Sequence, residues 1–355
     1  MFTNNTRPYL IHFHNILVKT KISIRLGISS RPSKFFKGND LIPSVPINEV
    51  RLLKKNRFLA KIIIKLNENV IHEKVLETDQ FGHLKHQVNL QNFSTEELVK
   101  SQICVYEIST LKGVDLLLGK NVPILIDNQK PVIITDFDKT LVDTKYKTTV
   151  EVYQSLTSPL KNFPTVEKSL SKIQTLTKLG TPVFVVSASP HFYESPIRNW
   201  LKSNEIFDSG IFLKDYRQFL SFQNTELFSK DMKVHGTFKL SQLLNLTYML
   251  ELPSKMILFG DNSETDPLIY CIFNYLINSS FEVIETWEKI KHLDAFQLTS
   301  FQDSKLLNRL HMIKALKKRM NKSTSIEINI RQIDGPRELE LPHWLENYRN
   351  EIKFY

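Results

Sequence analysis

The spacing of apolar positions changes character along this chain. Lys19 to Leu26 alternates polar and apolar residues, the period of a half-buried strand, while the rest of residues 1–40 shows no clear period. Ala60 to Leu66 and Val70 to Leu76 flank a short Asn67-Glu68-Asn69 turn. Thr78-Asp-Gln-Phe-Gly82 then leads into Leu84 to Leu90, which predicts a further hairpin with Gly82 free to take a positive φ. Gln102 to Ile108 is another strand. Together these predict a small antiparallel β-sandwich ending near residue 125.

From residue 131 strands alternate with helices, the order that builds a parallel α/β sheet. Pro131 to Thr135 is an apolar strand. Thr165 opens a helix with Val166, Leu170, Ile173, Leu176 and Leu179 on one face, and Gly180 is placed to end it. The strand Val183 to Val186, a helix around Ser195 to Lys202, the helix Phe238 to Leu250 and the strand Met256 to Phe259 follow. The expected fold is therefore α/β, a doubly wound parallel sheet, preceded by the β-sandwich. Its boundaries are 1–128 for the β-rich domain, 129–300 for the α/β domain and 301–355 for a basic helical extension. In that extension Lys305, Arg309, Lys314, Lys317, Lys318, Arg319 and Lys322 decorate one side of a helix, and Leu306, Leu310, Ile313, Leu316 and Met320 line the other. Thr324 to Ile330 then alternates like a strand.

With 355 residues the chain has room for about two domains. Its formal net charge of +10 favours anionic partners such as phosphate esters, acidic lipid surfaces or nucleic acid. Only Cys104 and Cys271 are present, which excludes a multi-bridge disulfide framework and fits a reducing cytosol. No apolar run approaches the roughly 20 residues that span a bilayer, and no secretory signal is expected. A cytoplasmic location follows as the expectation.

Candidate chemistry lies at the strand ends and helix starts. Asp136-Phe-Asp138-Lys-Thr140 follows the strand Pro131 to Thr135, where ligand crevices open in α/β sheets. Ser187 follows Val183 to Val186, Lys239 enters a helix after Gly236-Thr-Phe, and Gly260-Asp261 follows Met256 to Phe259. Each piece alone has a plainer reading, as a solvated turn, a helix cap or a surface lysine. Their joint order points to phosphoryl transfer. Asp136 can attack phosphorus while Asp138 protonates the departing oxygen and then takes a proton from water. Asp136 and Asp261 can share a Mg²⁺ ion, with the backbone carbonyl of Asp138 as third ligand. Lys239 would offset charge on the transferring group, and the Ser187 hydroxyl would bond a phosphoryl oxygen. Thr140 is expected to brace the loop.

These four pieces resemble the motif set of the haloacid dehalogenase superfamily of Mg²⁺-dependent aspartyl phosphatases. More narrowly, residues 129–275 are similar to the catalytic domain of the actin-patch-associated phosphatidate phosphatases. The residues carrying the closer match are Val186-Ser-Ala-Ser-Pro190, Phe212-Leu-Lys-Asp215, Phe238-Lys239, and Gly260-Asp261 through Asp266-Pro-Leu-Ile-Tyr270. The Thr78 to Leu84 segment is similar to a hairpin in the β domain that precedes this catalytic domain. The resemblance implies hydrolysis of phosphatidate to diacylglycerol. It assigns Asp136 as nucleophile, Asp138 as acid/base, Ser187 and Lys239 as phosphate binders and Asp261 as metal ligand, and adds Asp266 to the metal shell. Lys139, His191 and Asn262-Ser263 depart from the family pattern, the first two where they can alter substrate choice.

The short interval between Asp138 and Ser187 and the polar stretch Gln218 to Lys233 leave room for a minimal cap, which suits a phosphate presented at a bulky surface. The expected partner is a phospholipid at a membrane surface, and the 305–322 helix is either a basic membrane-facing element or a core-packed helix with a solvated basic side. No aromatic-interleaved RNA-binding motif is present, so nucleic acid is not expected as a partner. Rival readings are the same chemistry on a soluble or nucleic-acid phosphomonoester, and a non-catalytic scaffold that recruits partners through its β domain.

Overall fold

The computed structural model describes residues 6–32, 56–144, 158–215, 236–263, 265–296, 300–333 and 339–355. The predicted polar stretch 218–233 lies outside the described residues. These form two compact units. One holds the described residues of Met1–Asp127, Leu156–Pro159 and Glu194–Pro196, and the other holds the rest.

In the first unit, β1 (Thr6–Val18) and β2 (Lys21–Pro32) are joined at Lys19 and Thr20, with Lys19 at φ 55°. β3 (Leu59–Leu66) and β4 (Asn69–Glu77) meet at Asn67 and Glu68, both with positive φ, as a mirror-image two-residue hairpin turn requires. β5 (His83–Asn89), β6 (Gln102–Glu107), β7 (Leu116–Asn121) and β8 (Ile124–Leu125) complete the set. The strands make two four-stranded sheets, ordered β5-β2-β1-β8 and β4-β3-β6-β7. Inward-facing residues of both, among them Ile22, Ile24, Leu26, Ala60, Ile62, Ile64, Ile103 and Val105, build one apolar core. The expected hairpin across 78–82 is corrected by the pairing. β4 bonds to β3 and β5 to β2, so this turn carries the chain from one sheet to the other. Asp79 fastens it by accepting from the Phe81 and His83 amides, each at 2.9 Å.

The second unit begins with β9 (Pro131–Thr135), followed by α1 (Glu167–Lys178), β10 (Val183–Pro190), α2 (Glu194–Ser203, in this unit from Ile197 on) and β11 (Asp208–Lys214). Then come α3 (Gly236–Leu250), β12 (Lys255–Asp261), α4 (Asp266–Asn278), α5 (Val283–Lys291) and α6 (Ser300–Met320), and finally β13 (Ser325–Arg331) and β14 (Ile352–Phe354). The six strands are parallel and ordered β11-β10-β9-β12-β13-β14. Chain order reverses at the β9–β12 pair, the switch point where ligands settle in open parallel sheets. β9, β10 and β12 are buried almost throughout, as parallel strands covered on both faces must be.

Several expectations shift by tertiary context. α1 starts at Glu167, not Thr165, because Thr165 is bridged to Val142 and the Val166 amide donates to the Leu141 carbonyl at 2.9 Å. It ends as predicted at Gly180, φ 79°. The Gly180 and Thr181 amides there bond the Thr177 and Leu176 carbonyls in a Schellman closure. Leu179, expected on the apolar face, is 78% exposed at the helix end. Residues 301–355 are not a helical extension throughout: after α6 they supply β13 and β14 to the same parallel sheet, with a 3₁₀ helix at His343–Glu351 between them.

Helix α6 buries Leu306, Leu310, Ile313 and Leu316, so its apolar side is taken up by the fold and is not presented to a lipid surface. Much of its basic side is also engaged. Lys317 donates to the Leu276 and Ser279 carbonyls at 2.8 and 2.6 Å, Lys314 pairs with Glu282 at 2.9 Å, and Arg309 bonds the Asn245 side chain at 3.2 Å. Of the two readings of this helix, the core-packed one describes its apolar face.

Candidate active site

Asp136 follows β9 directly, its amide donating to the Phe259 carbonyl of neighbouring β12 at 2.9 Å. That bond locks the two central strand ends together. Asp261 is the last residue of β12, and Asp266 opens α4 five residues later. The three carboxylates are all buried, with one oxygen of each lying within 4.8 Å of the others. Gly260 makes this approach possible, since a Cβ there would sit 2.6 Å from Asp266 Oδ2. Tyr270, one turn along α4, donates to the Phe259 carbonyl at 2.9 Å and borders the cluster. Burial, reinforced by the Asp266 charge, raises its pKa, which keeps the phenol neutral.

Lys239 reaches the same cluster from the first turn of α3, where Gly236 lets the helix start press against the Ala295 carbonyl. Its ammonium is 1% exposed. It donates to Asp136 Oδ2 at 2.6 Å and also contacts Asp266 Oδ1. The other Asp136 oxygen accepts from the Phe137 amide at 2.6 Å, so this carboxylate is held from both sides. Among the described residues three buried carboxylates face one buried ammonium in a low-dielectric site. Three converging carboxylate oxygens are the donor set of a hard divalent cation and suit Mg²⁺.

Asp138 is set apart from these acids. Its Oδ2 receives the Ser189 hydroxyl and lies 3.4 Å from the Ser187 hydroxyl, while Oδ1 accepts from Thr144 at 3.0 Å. Its side chain is outside the three-acid cluster, leaving only its backbone carbonyl for the metal role expected of it. The buried Ser187 Oγ also accepts from the Ser189 amide at 3.1 Å. Nearby Tyr193 has its pKa raised by burial and by the Asp138 charge.

Asp136, Asp138 and Asp261 lie at or just beyond the carboxyl ends of β9 and β12, and Lys239 and Asp266 lie in the first turns of α3 and α4. Ser187, expected just after a strand ending at Val186, instead lies within β10, which runs on to Pro190. The six predicted residues divide into Asp136, Asp261, Asp266 and Lys239 on one side, and Asp138 with Ser187 on the other. Thr140 does not brace the loop through its hydroxyl, which is buried without a hydrogen bond among the described residues; Thr144 and Arg331 hold the loop instead.

Lys139 (φ 57°) extends its ammonium to Ser263 Oγ at 3.0 Å, and Ser263 in turn contacts Asp261, its amide at 2.7 Å. The departure at 139 therefore ties the two acid loops together. His191 lies 3.3 Å from Asp215, pairing the ends of β10 and β11. Sequence reasoning assigned no role to Ser189 or Arg331, although Arg331 follows directly on the predicted strand Thr324 to Ile330.

No curated protein matches the chain. Among solved structures, a Pnkp1/Rnl/Hen1 complex is similar with TM-score 0.28 and 13% identity, over 45% of this chain and 52% of that one. A β-glucuronidase from Parabacteroides merdae gives 0.26 and 8%, over 93% of this chain and 35% of that one. A β-galacturonidase from Eisenbergiella tayi bound to galacturonate gives 0.22 and 10%, over 93% and 58%. The chain thus spans from about a third to under two thirds of these proteins, and likeness this low carries no argument about fold or function. Residues 131–286, which include all six predicted site residues, match the family described as "Phosphatidate phosphatase APP1, catalytic domain". This segment of the chain therefore carries the sequence pattern of the phosphatidate phosphatase APP1 catalytic-domain family.

Proposed function

We propose that the protein is a Mg²⁺-dependent phosphatidate phosphatase of haloacid dehalogenase type, working through an aspartyl-phosphate. One observation carries this reading: within the segment that matches the phosphatidate phosphatase family, Asp136, Asp261, Asp266 and Lys239 converge, buried, at the switch point of the parallel sheet. The ion would be held by Asp136, Asp261, Asp266 and the Asp138 carbonyl, and would neutralise phosphoryl charge so that a carboxylate can approach.

The side chains supply the rest. Asp136, oriented by the Phe137 amide and Lys239, attacks phosphorus through a carboxylate oxygen. The bond from phosphorus to the glycerol oxygen breaks, and Asp138 gives that oxygen its proton, releasing diacylglycerol. Asp138, now ionised beside Ser187 and Ser189, takes a proton from water as the water attacks the aspartyl-phosphate. Inorganic phosphate leaves and Asp136 is restored. Ser187 and Lys239 donate to phosphoryl oxygens through both steps.

The test is turnover of phosphatidate in mixed micelles, beside soluble monoesters and a 5′-phosphorylated oligonucleotide, with Mg²⁺ and with chelator. Phosphatidate should be hydrolysed only with Mg²⁺, and Asp136→Asn should lower kcat by about 10³-fold or more with an unchanged circular dichroism spectrum. Inert phosphatidate beside a rapidly hydrolysed soluble ester would remove the lipid and keep the chemistry. Absence of turnover on every ester would favour the scaffold.

A further inference from the structure

Arg331 is the last residue of β13, beyond the end of the segment that matches the phosphatidate phosphatase family. In the β12–β13 ladder it is the register partner of Asp261. Its guanidinium Nη1 donates to the Lys139 carbonyl at 2.6 Å and to Asp143 Oδ1 at 3.1 Å. Its own carbonyl accepts the Asn262 amide at 3.0 Å, and the Asn262 side chain accepts the Ile333 amide at 2.7 Å. One residue thus grips the loop after Asp138 with its side chain and the loop after Asp261 with its backbone.

The grip falls where the chain most needs it. Lys139 occupies the left-handed region at φ 57°, which a residue with a side chain seldom adopts unless its surroundings impose it. Its amide is used by the Val142 carbonyl at 2.7 Å, and its carbonyl is the acceptor that Arg331 takes. A guanidinium presents donors in a fixed fork, so it sets the direction of an acceptor as well as its distance. Turning the 139 backbone back to an ordinary conformation would rotate Asp138, one residue earlier, away from Ser187 and Ser189.

We propose that Arg331 is a positioning residue for Asp138, acting through the Lys139 carbonyl. It keeps the acid aimed at the leaving oxygen, and the inference rests on the phosphatase reading above. The strand that supplies this residue is therefore part of the working site, although it lies outside the recognisable catalytic segment.

A merely structural role and a positioning role separate by leaving group. An alkoxide must be protonated as it departs, whereas p-nitrophenolate leaves without help. In single turnover Arg331→Met should slow release of diacylglycerol from dioctanoyl phosphatidate by about tenfold or more, part of the roughly 10²–10⁴-fold that a placed general acid contributes. Single-turnover release of p-nitrophenolate should stay within about threefold, because Asp138 then serves only the later water attack that both esters share, and Arg331→Lys should recover part of the loss. Equal losses on both esters, or none on phosphatidate, would overturn the proposal. Hydrogen–deuterium exchange over residues 137–144 gives a readout independent of turnover. Faster exchange there in Arg331→Met, with β12 unchanged, supports the clamp, and unaltered exchange overturns it. If the wild-type protein hydrolyses neither ester, the phosphatase reading fails and the exchange result still decides the clamp. Should Arg331→Met not fold, Asp143→Asn, at a position 42% exposed, carries both readouts with a smaller effect expected in the same direction.

Discussion

Lys239 is in an electrostatically awkward place. An ammonium in the first turn of a helix faces the positive end of the helix dipole, and burying it removes its water. The Asp136 and Asp266 carboxylates offset both costs, so the three charges hold one another in place. Lys239→Met should therefore cost about 3–5 kcal/mol, the usual result of removing one partner from a buried ionic group, measured by urea unfolding in chelator. Gly260→Ala should act on the same cluster sterically. The new methyl would meet Asp266 Oδ2 at 2.6 Å and Tyr270 Cε2 at 2.9 Å. A loss of about 1–3 kcal/mol is expected, with weaker stabilisation by Mg²⁺ because Asp266 must move. At this scale Asp136, Lys239 and Asp261 were legible as polar residues at strand ends or helix starts, and Ser187 as a polar residue interrupting an apolar strand. Ser189, Thr144 and Arg331 were not, because they act by touching Asp138 or its loop. Contact across as many as 192 positions leaves no local pattern.

At the scale of elements, the outer strands of the parallel sheet are joined by charge as well as by backbone. Glu327 on β13 lies 2.7 Å from Lys255 on β12 and 3.2 Å from Lys353 on β14. Burial alone would raise its pKa, but the two lysines outweigh burial and hold it down at about 2, against 4.5 for an ordinary glutamate. A depressed carboxylate pKa contributes stability that is complete above about 4.5 and disappears as pH falls towards 2. Glu327→Gln should lower stability by about 1–2 kcal/mol at pH 7, after discounting for the exposed lysines, and the gap to wild type should close between pH 4.5 and 2. Thermal melts across that range check it.

Helix α6 shows how far an amphipathic pattern reaches. Its apolar side was correctly legible, but periodicity cannot say whether lipid or protein covers that side. The structure places Leu306, Leu310, Ile313 and Leu316 in the fold, and burial of Lys317 beside the α4 carbonyls pushes its pKa down to about 8. Leu310→Ala should accordingly cost about 2–5 kcal/mol in urea unfolding, as a core truncation does and a membrane-facing one would not.

Across the whole molecule, the catalytic proposal depends on a sheet assembled from distant segments. Removing residues 301–355 would strip β13 and β14 from the sheet, leaving β12 as a bare apolar edge beside the acid cluster. Such a truncation, which still contains the whole family match, should aggregate and lose Mg²⁺-dependent activity, as size exclusion and turnover would show. The untruncated chain should gain thermal stability with Mg²⁺ by about 2.7 kcal/mol at a hundredfold excess over its dissociation constant, and Asp261→Asn should gain little. Among the described residues no helix is long and apolar enough to cross a membrane. The sequence by itself determined the parallel α/β succession from residue 131 and the strand-end positions of Asp136 and Asp261, because period and strand ends are local properties. Only the tertiary structure decided which strands pair, that the turn at 78–82 changes sheets, that Asp138 faces the serines and not the acid cluster, and that Arg331 reaches back to Lys139. Pairing order and long-range contact are settled by which buried surfaces and polar groups satisfy one another, and no window of the sequence contains both partners.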